Sequence, residues 1–275
     1  TAYRRQRQMC IRDRLKTMLD NVRAKTPLIH NITNYVTVND CANILLACGG
    51  SPIMSDDINE VEEITSICGG LNINIGTLNQ RTIQSMLSAG IKANSLGHPI
   101  VLDPVGAGAS SLRTNTALML MEKIRFSVIR GNISEIKTLA LGAGTTKGVD
   151  ADIADAVTEQ NIDSVAAFAK DFSKKCGAVV AITGAIDIVA NGNTAYIIRN
   201  GVPMMSKITG SGCMLSAMTA AYITANPDNL LKAAAAAVCA MGLCGEKAFD
   251  TMCKNNAGNS CLLYTSDAAD DMQCV

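Results

Sequence analysis

Short apolar runs bounded by turn residues alternate with segments of helical spacing along most of this chain, and that alternation is what most narrows the folds open to it. Ser51–Met54, Leu71–Ile75, Pro99–Asp103, Ser127–Arg130 and Ala178–Thr183 read as strands buried on both sides of a parallel sheet. Between them, Ile83, Met86, Leu87 and Ile91 recur every three or four residues and stop near Gly97-His98-Pro99, and Ile58, Val61, Ile64, Ile67 and Cys68 form a second such stripe. Strand-then-helix order, repeated, implies right-handed crossovers and helices on both faces of the sheet. Ile186–Ala190 and Thr194–Ile198 flank Asn191-Gly192-Asn193, which is hairpin chemistry, so an antiparallel edge is expected after the parallel part. Cys213–Ala225 and Leu230–Phe249 predict two long helices. The expected class is α/β: a mainly parallel central sheet, helices on both faces and an antiparallel edge hairpin, with no repeat or linker to divide it.

Composition removes several functions. The 275 residues are 48% hydrophobic, enough for a large core. Lys+Arg and Asp+Glu both number 24, with no Trp, five Tyr and four Phe, so neither a phosphate-neutralising stripe nor a base-stacking platform is at hand and no nucleic-acid partner is expected. The 11 cysteines contain no Cys-x-x-Cys pair, which argues for reduced thiols and a cytoplasmic location. With only His30 and His98, a multi-histidine metal centre is excluded. The most apolar stretch, Ala233–Cys244, is short of the roughly 20 residues a spanning helix needs, so it reads as a buried helix and no membrane is expected. The ends differ from the rest. Residues 1–14 carry five arginines and 262–275 are acidic, and both are expected to be non-native or disordered tails.

In open parallel sheets ligands bind at the carboxyl ends of the strands. Polar or glycine-rich turns follow Leu102 (Asp103-Pro-Val-Gly-Ala-Gly-Ala109), Ile129 (Arg130-Gly-Asn-Ile-Ser-Glu135) and Ile182 (Thr183-Gly184), and a further one, Lys207-Ile-Thr-Gly-Ser-Gly-Cys213, precedes a helix. These turns are expected to converge on one rim. Thr209-Gly-Ser-Gly212 at a helix start offers backbone N–H groups and the positive end of the dipole, an anion hole suited to a transferring phosphoryl group; the same glycines serve equally to permit a tight turn. Asn132-x-x-Glu135 can help hold a hydrated Mg²⁺, or can simply cap a helix. Asp103 can end a strand in an Asx-type turn, and Arg130 suits a nucleotide phosphate. Neither Gly-x₄-Gly-Lys-[Ser/Thr] nor a complete Gly-x-Gly-x-x-Gly is present.

In combination the motifs resemble the hydroxyethylthiazole kinases, a thiamine-salvage family of the ribokinase-like superfamily. The resemblance runs from about Leu15 to Ser260, which makes 15–260 one expected domain. It is carried by Pro27-Leu-Ile-His-Asn-Ile-Thr-Asn34, Gly50-Ser-Pro-Ile-Met54, Leu71-Asn-Ile-Asn-Ile-Gly-Thr77, Val101–Ala109, Ile129–Glu135, Lys147-Gly-Val-Asp150, Ala181–Gly184 and Ile208–Cys213. It implies phosphorylation of 4-methyl-5-(2-hydroxyethyl)thiazole with ATP and Mg²⁺ by a homotrimer with active sites between subunits. Transferred to this sequence, it implies Met54 and Gly210 at the thiazole with Asn34 nearby, Arg130 and Thr183 on ATP, and Asp103 and Glu135 serving the metal. Gly210, Ser211, Gly212 and Cys213 would form the anion hole. Cys213 stands where many ribokinase relatives place an Asp base. A thiol of ordinary pKa about 8.5 is a mediocre base at neutral pH, although a helix N-terminus favours the thiolate, so Cys213 is expected to orient the hydroxyl. After Gly258-Asn-Ser260 the family continues with a Phe and another amphipathic helix, where this chain has Cys261-Leu-Leu-Tyr264. Two alternatives stand beside this reading: a ribokinase-like enzyme on another small alcohol or a nucleotide-dependent dehydratase, which an Asp at 213 would have favoured, and a nucleotide-binding protein without catalysis, which loss of Glu135 or of the glycine turn would have favoured.

Overall fold

The computed structural model describes residues 15–142 and 156–258. The Lys147–Asp150 motif and both proposed tails lie outside the described residues. A helix over 15–25 (α1) leads into β1 (Leu28–Ile32), α2 (Val38–Cys48), β2 (Ser51–Met54), α3 (Val61–Ile67) and β3 (Gly70–Asn74). There follow α4 (Gln80–Leu96), β4 (Ile100–Asp103), α5 (Ser111–Lys123), β5 (Val128–Gly131) and α6 (Ile133–Leu141). Then come α7 (Ile162–Cys176), β6 (Val179–Ile182), β7 (Asp187–Ala190), β8 (Ala195–Ile198), α8 (Ser211–Ala225) and α9 (Leu230–Lys254). The strands form one eight-stranded sheet in the order β2-β1-β3-β4-β5-β6-β7-β8. Pairing is parallel from β2 to β6 and antiparallel at β6–β7 and β7–β8, so the expected edge hairpin is present. β1 escaped the sequence reading because His30 and Asn31 interrupt its apolar run.

Period-two alternation divides the strands between two cores. Ile29, Val101, Val128, Val179 and Val189 pack with α1, α2, α8 and α9. Leu71, Ile73, Ile100, Leu102, Ile129 and Ile182 pack with α4–α7 on the opposite face. α8 is apolar on all sides and buried along almost its whole length, which suits a helix enclosed by the sheet on one side and α2 and α9 on the other. α9 extends well past the apolar dozen residues read from sequence. Pro227–Lys254 is long and apolar enough to cross a membrane by length and composition, but Ala233–Val238 is packed inside the fold against α8 and β6–β8.

The helical stripes locate helices better than they locate burial. α3 begins at Val61, leaving Ile58 outside it and 48% exposed, while Ile67 is 64% and Ile91 51% exposed. α4 starts in a reciprocal Asn79–Thr82 capping box and ends on Gly97 at φ 73°, the stop that the Gly-His-Pro sequence implied.

Candidate active site

The alternation that fills the cores also sets polar side chains on the α8 face at the carboxyl ends of the strands. Asn74 ends β3, and its partner in register, Asp103, ends β4. Arg130 lies in β5 and Thr183 follows β6 directly. The Arg130 Nη2 donates to Thr183 Oγ1 at 2.6 Å, and Nη1 lies 3.6 Å from Asp103 Oδ2. Arg130 also fills the space over Gly212, where a Cβ would overlap the guanidinium. The glycine turn before α8 therefore meets Asp103 and Arg130 as the sequence required.

Asp103 is wholly buried. Its Oδ2 accepts from Asn74 Nδ2 at 3.0 Å and from Ser216 Oγ at 2.8 Å, while Oδ1 is buried with no partner among the described residues. Burial raises its pKa more than Arg130 and the hydroxyl lower it. Glu135 accepts from Gly106 N and Asn132 N, both at 2.8 Å, and its own N–H donates to Asn132 Oδ1, so the capping role weighed from sequence is real. Burial, and then the charge of Asp103, pushes the Glu135 carboxyl up to about 7. Among the described residues no group of three or more His, Cys, Asp or Glu could enclose a metal. An orphaned carboxylate oxygen beside a second, charge-raised carboxylate nevertheless fits a mostly hydrated Mg²⁺ that takes its remaining oxygens from phosphate.

Gly210 precedes α8 at φ 88°, and a Cβ there would overlap Thr37. As the N-cap residue, Gly210 brings no side chain to cap α8, so the first-turn amides are left without a side-chain cap. Cys213 lies in that turn, and its Sγ accepts from Asn34 Nδ2 at 3.1 Å. Burial, followed by the negative charge of Asp103, pushes the thiol up and so outweighs the pull of the helix terminus toward the thiolate. Cavity-lining residues include Met54, Tyr35, Thr77 and Met86, which enclose about 210 Å³ with Asn74 on the wall. That is below the roughly 300–1,000 Å³ of sites for drug-sized ligands and suits a small ring. Asn34, Gly210 and Cys213 stand beside this cavity and do not line it; Asn34 is buried, its Oδ1 accepting from Thr37 N and Oγ1.

The sequence reading omitted Asn74, Ser216, Thr37 and Arg113. Arg113 donates to Gly76 O at 2.7 Å and Val105 O at 3.3 Å, tying the turn after β3 to the turn after β4. Asn74 was legible by the rule used for the other turns, since it is the last residue of a strand followed by Gly76-Thr77, but the turns after β1 and β3 were not considered.

Comparison with known proteins gives a consistent picture. The family model described as the hydroxyethylthiazole kinase family matches residues 19–265. A hydroxyethylthiazole kinase of Clostridium acetobutylicum is 68% identical over 253 residues, covering 92% of this chain and 93% of that protein. The solved hydroxyethylthiazole kinase of Pyrococcus horikoshii OT3 superposes with a TM-score of 0.82 at 33% identity, over 95% of this chain and 93% of that one. A ribokinase-like superfamily protein of Enterococcus faecalis, 12% identical with a TM-score of 0.61 over 90% of this chain and 86% of its own, shares the fold.

Proposed function

The chain belongs to the hydroxyethylthiazole kinase family, and from that premise we propose that the rim joining β3–β6 to the start of α8 is its phosphoryl-transfer site. The enzyme phosphorylates the hydroxyl of the thiazole alcohol with ATP, supplying the phosphate used in thiamine salvage. The observation that carries the site assignment is the Arg130 guanidinium, which touches Thr183, Asp103 and the space over Gly212 at once.

On this reading the thiazole ring occupies the cavity against Met54, whose polarizable thioether suits an aromatic sulfur heterocycle. Its hydroxyethyl arm points toward Cys213 and Gly210. Arg130 and Thr183 hold the ATP phosphates, and the amides of Ser211, Gly212 and Cys213 stabilise charge on the phosphoryl group in flight. Asp103 and Glu135 would hold Mg²⁺, partly through water, and the ion when bound would supply neutralisation of phosphate charge. Cys213, its thiol pushed up, keeps its proton at neutral pH and orients the hydroxyl, which loses its own proton late in a loose transition state. Tyr35 and Val36, 78% and 58% exposed beside the cavity, and Leu46 at 59%, form an apolar surface that a neighbouring copy would cover, which supports a homotrimer with sites at its subunit interfaces. Free thiols at Cys41, Cys48, Cys68 and Cys213 support a reducing, cytoplasmic location.

A coupled assay of ADP release tests the reading. ADP is expected only when hydroxyethylthiazole and Mg²⁺ are both present, and faster turnover of another small alcohol would move the assignment to that substrate. Light scattering after size exclusion tests the trimer.

A further inference from the structure

We propose that Asn74 is a positioning residue that aligns Asp103 with Cys213 through a chain of two carboxamides, and so determines which oxygen of Asp103 is left unpaired. The inference deepens the kinase reading above and rests on it. Asn74 and Asn34 are 1% and 4% exposed, so their amide orientations are set by fixed neighbours. Gly76 N–H can only donate, and it lies 2.9 Å from one end of the Asn74 amide, which must therefore be Oδ1. The other end, Nδ2, then donates to Asp103 Oδ2 at 3.0 Å. The backbone N–H of Thr37 fixes Asn34 in the same way, because it donates to Oδ1 at 3.2 Å and leaves Nδ2 to donate both to Asn74 Oδ1 and to Cys213 Sγ, each at 3.1 Å.

Two consequences follow for the reacting groups. The Cys213 sulfur is held as an acceptor, so its single proton is left to donate elsewhere. Asp103 Oδ2 already receives Asn74, Ser216 and the Arg130 charge, which leaves Oδ1 as the buried oxygen without a partner among the described residues. Asn74 is the side chain that bridges these two settings, and it also walls the thiazole cavity. Misplacing reacting groups by about 1 Å can cost about 100-fold in rate.

The test uses Asn74→Ser, which breaks both links without adding charge, and Ser216→Ala, which removes a different donor from the same Asp103 oxygen. With hydroxyethylthiazole and MgATP, Asn74→Ser is expected to lower kcat about 100-fold with both KM values within about threefold. Combined with Cys213→Ser it should lose much less than the product of the two single losses, because groups that act as a unit are not additive. Site-resolved iodoacetamide alkylation, which needs no substrate, should show the Cys213 rate altered at least about threefold in Asn74→Ser and unchanged in Ser216→Ala. Near-parental kcat, fully additive losses, or an unaltered Cys213 alkylation rate in Asn74→Ser would overturn the proposal, the last also if the variant melts lower. Asn74→Leu, close to the parent in shape and able neither to donate nor to accept, replaces it should the serine variant not fold, with the same readouts. Failure of the parent protein to turn over the thiazole alcohol would sink the kinase reading instead, and leave the alkylation comparison standing.

Discussion

The two helical layers pack on the same strands, yet only one shares its interface with a polar row. Under α4–α7 the central strands offer Leu71, Ile73, Ile100, Leu102 and Ile129. Under α8 the neighbouring positions are Asn72, Asn74, Asp103 and Arg130, with Ser216 facing them from the helix. Two cavities sharpen the contrast. The larger, about 410 Å³, lies on the α5–α7 side among Leu118, Phe126 and Phe172, whereas the smaller one, about 210 Å³, lies at the strand ends between Met86 of α4 and Asn74 of the polar row. Convergent polar groups in a buried setting, and not cavity size, mark the site.

Exchanging one residue on each face gives the largest contrast. Asp103→Asn should cut kcat about 100- to 1,000-fold, the scale of losing a preorganised electrostatic group. It should melt no lower than the parent at pH 8, because a carboxyl whose pKa burial has raised costs stability when ionised. Leu102→Ala, one residue away and on the other face, should cost about 2–5 kcal/mol in denaturant unfolding while kcat, measured well below the melting point, stays near the parental value. Activity loss at Leu102 without destabilisation, or the reverse at Asp103, would break the division between the faces.

A smaller effect separates the two roles of Glu135. Its folded carboxyl titrates near 7, far above its unfolded value, so it contributes stability at low pH that is lost as pH rises from the ordinary carboxylate range through about 7. In the metal-holding role proposed for Glu135 only the charged form serves, so kcat/KM should rise with pH up to about 7, by up to about tenfold per pH unit on the acid limb. Stability and activity thus run in opposite directions across one pH window. Glu135→Gln should flatten both profiles, and it should also weaken the start of α6, because one amide oxygen cannot serve both Gly106 N and Asn132 N. An acid limb retained in Glu135→Gln would assign that titration to another group.

Much of this was legible in the chain. Short runs bounded by turn residues stand out, so β2 to β8 were each placed to within a residue or so, β3 in spite of Asn72 and Asn74, and β1 was hidden where Asn31 stands beside His30, which bonds Thr65 and the Ser55 carbonyl on the α3 side. The glycine turn at 209–212, Asp103, Arg130 and Thr183 were legible because a rule about strand ends points to them, and they meet as that rule requires. The Cys213 environment was not legible. The helix terminus is a local feature visible in sequence, but the burial and the Asp103 charge that outweigh it come from elements far apart in the chain. The pairing of the two carboxamides was hidden for the same reason: the strand-end rule reaches Asn74 and the family resemblance reaches Asn34, but neither tells that the two side chains meet.

The smallest expected effect concerns a place where pattern and packing part. Ile91 sits on the helical stripe that located α4, and spacing alone would make it core, yet it is 51% exposed while Met86, Ala89 and Ala93 carry the burial. Helical periodicity of apolar residues reports which positions share a face, but a face wider than its contact leaves its margin in water. Ile91→Ser should therefore change unfolding free energy by no more than about 0.5 kcal/mol and leave kcat unaltered, in contrast to Leu102→Ala. A loss above about 1.5 kcal/mol that shrinks as the protein is diluted would mean that a second copy covers α4, and that the apolar margin belongs to an interface that the single chain leaves open.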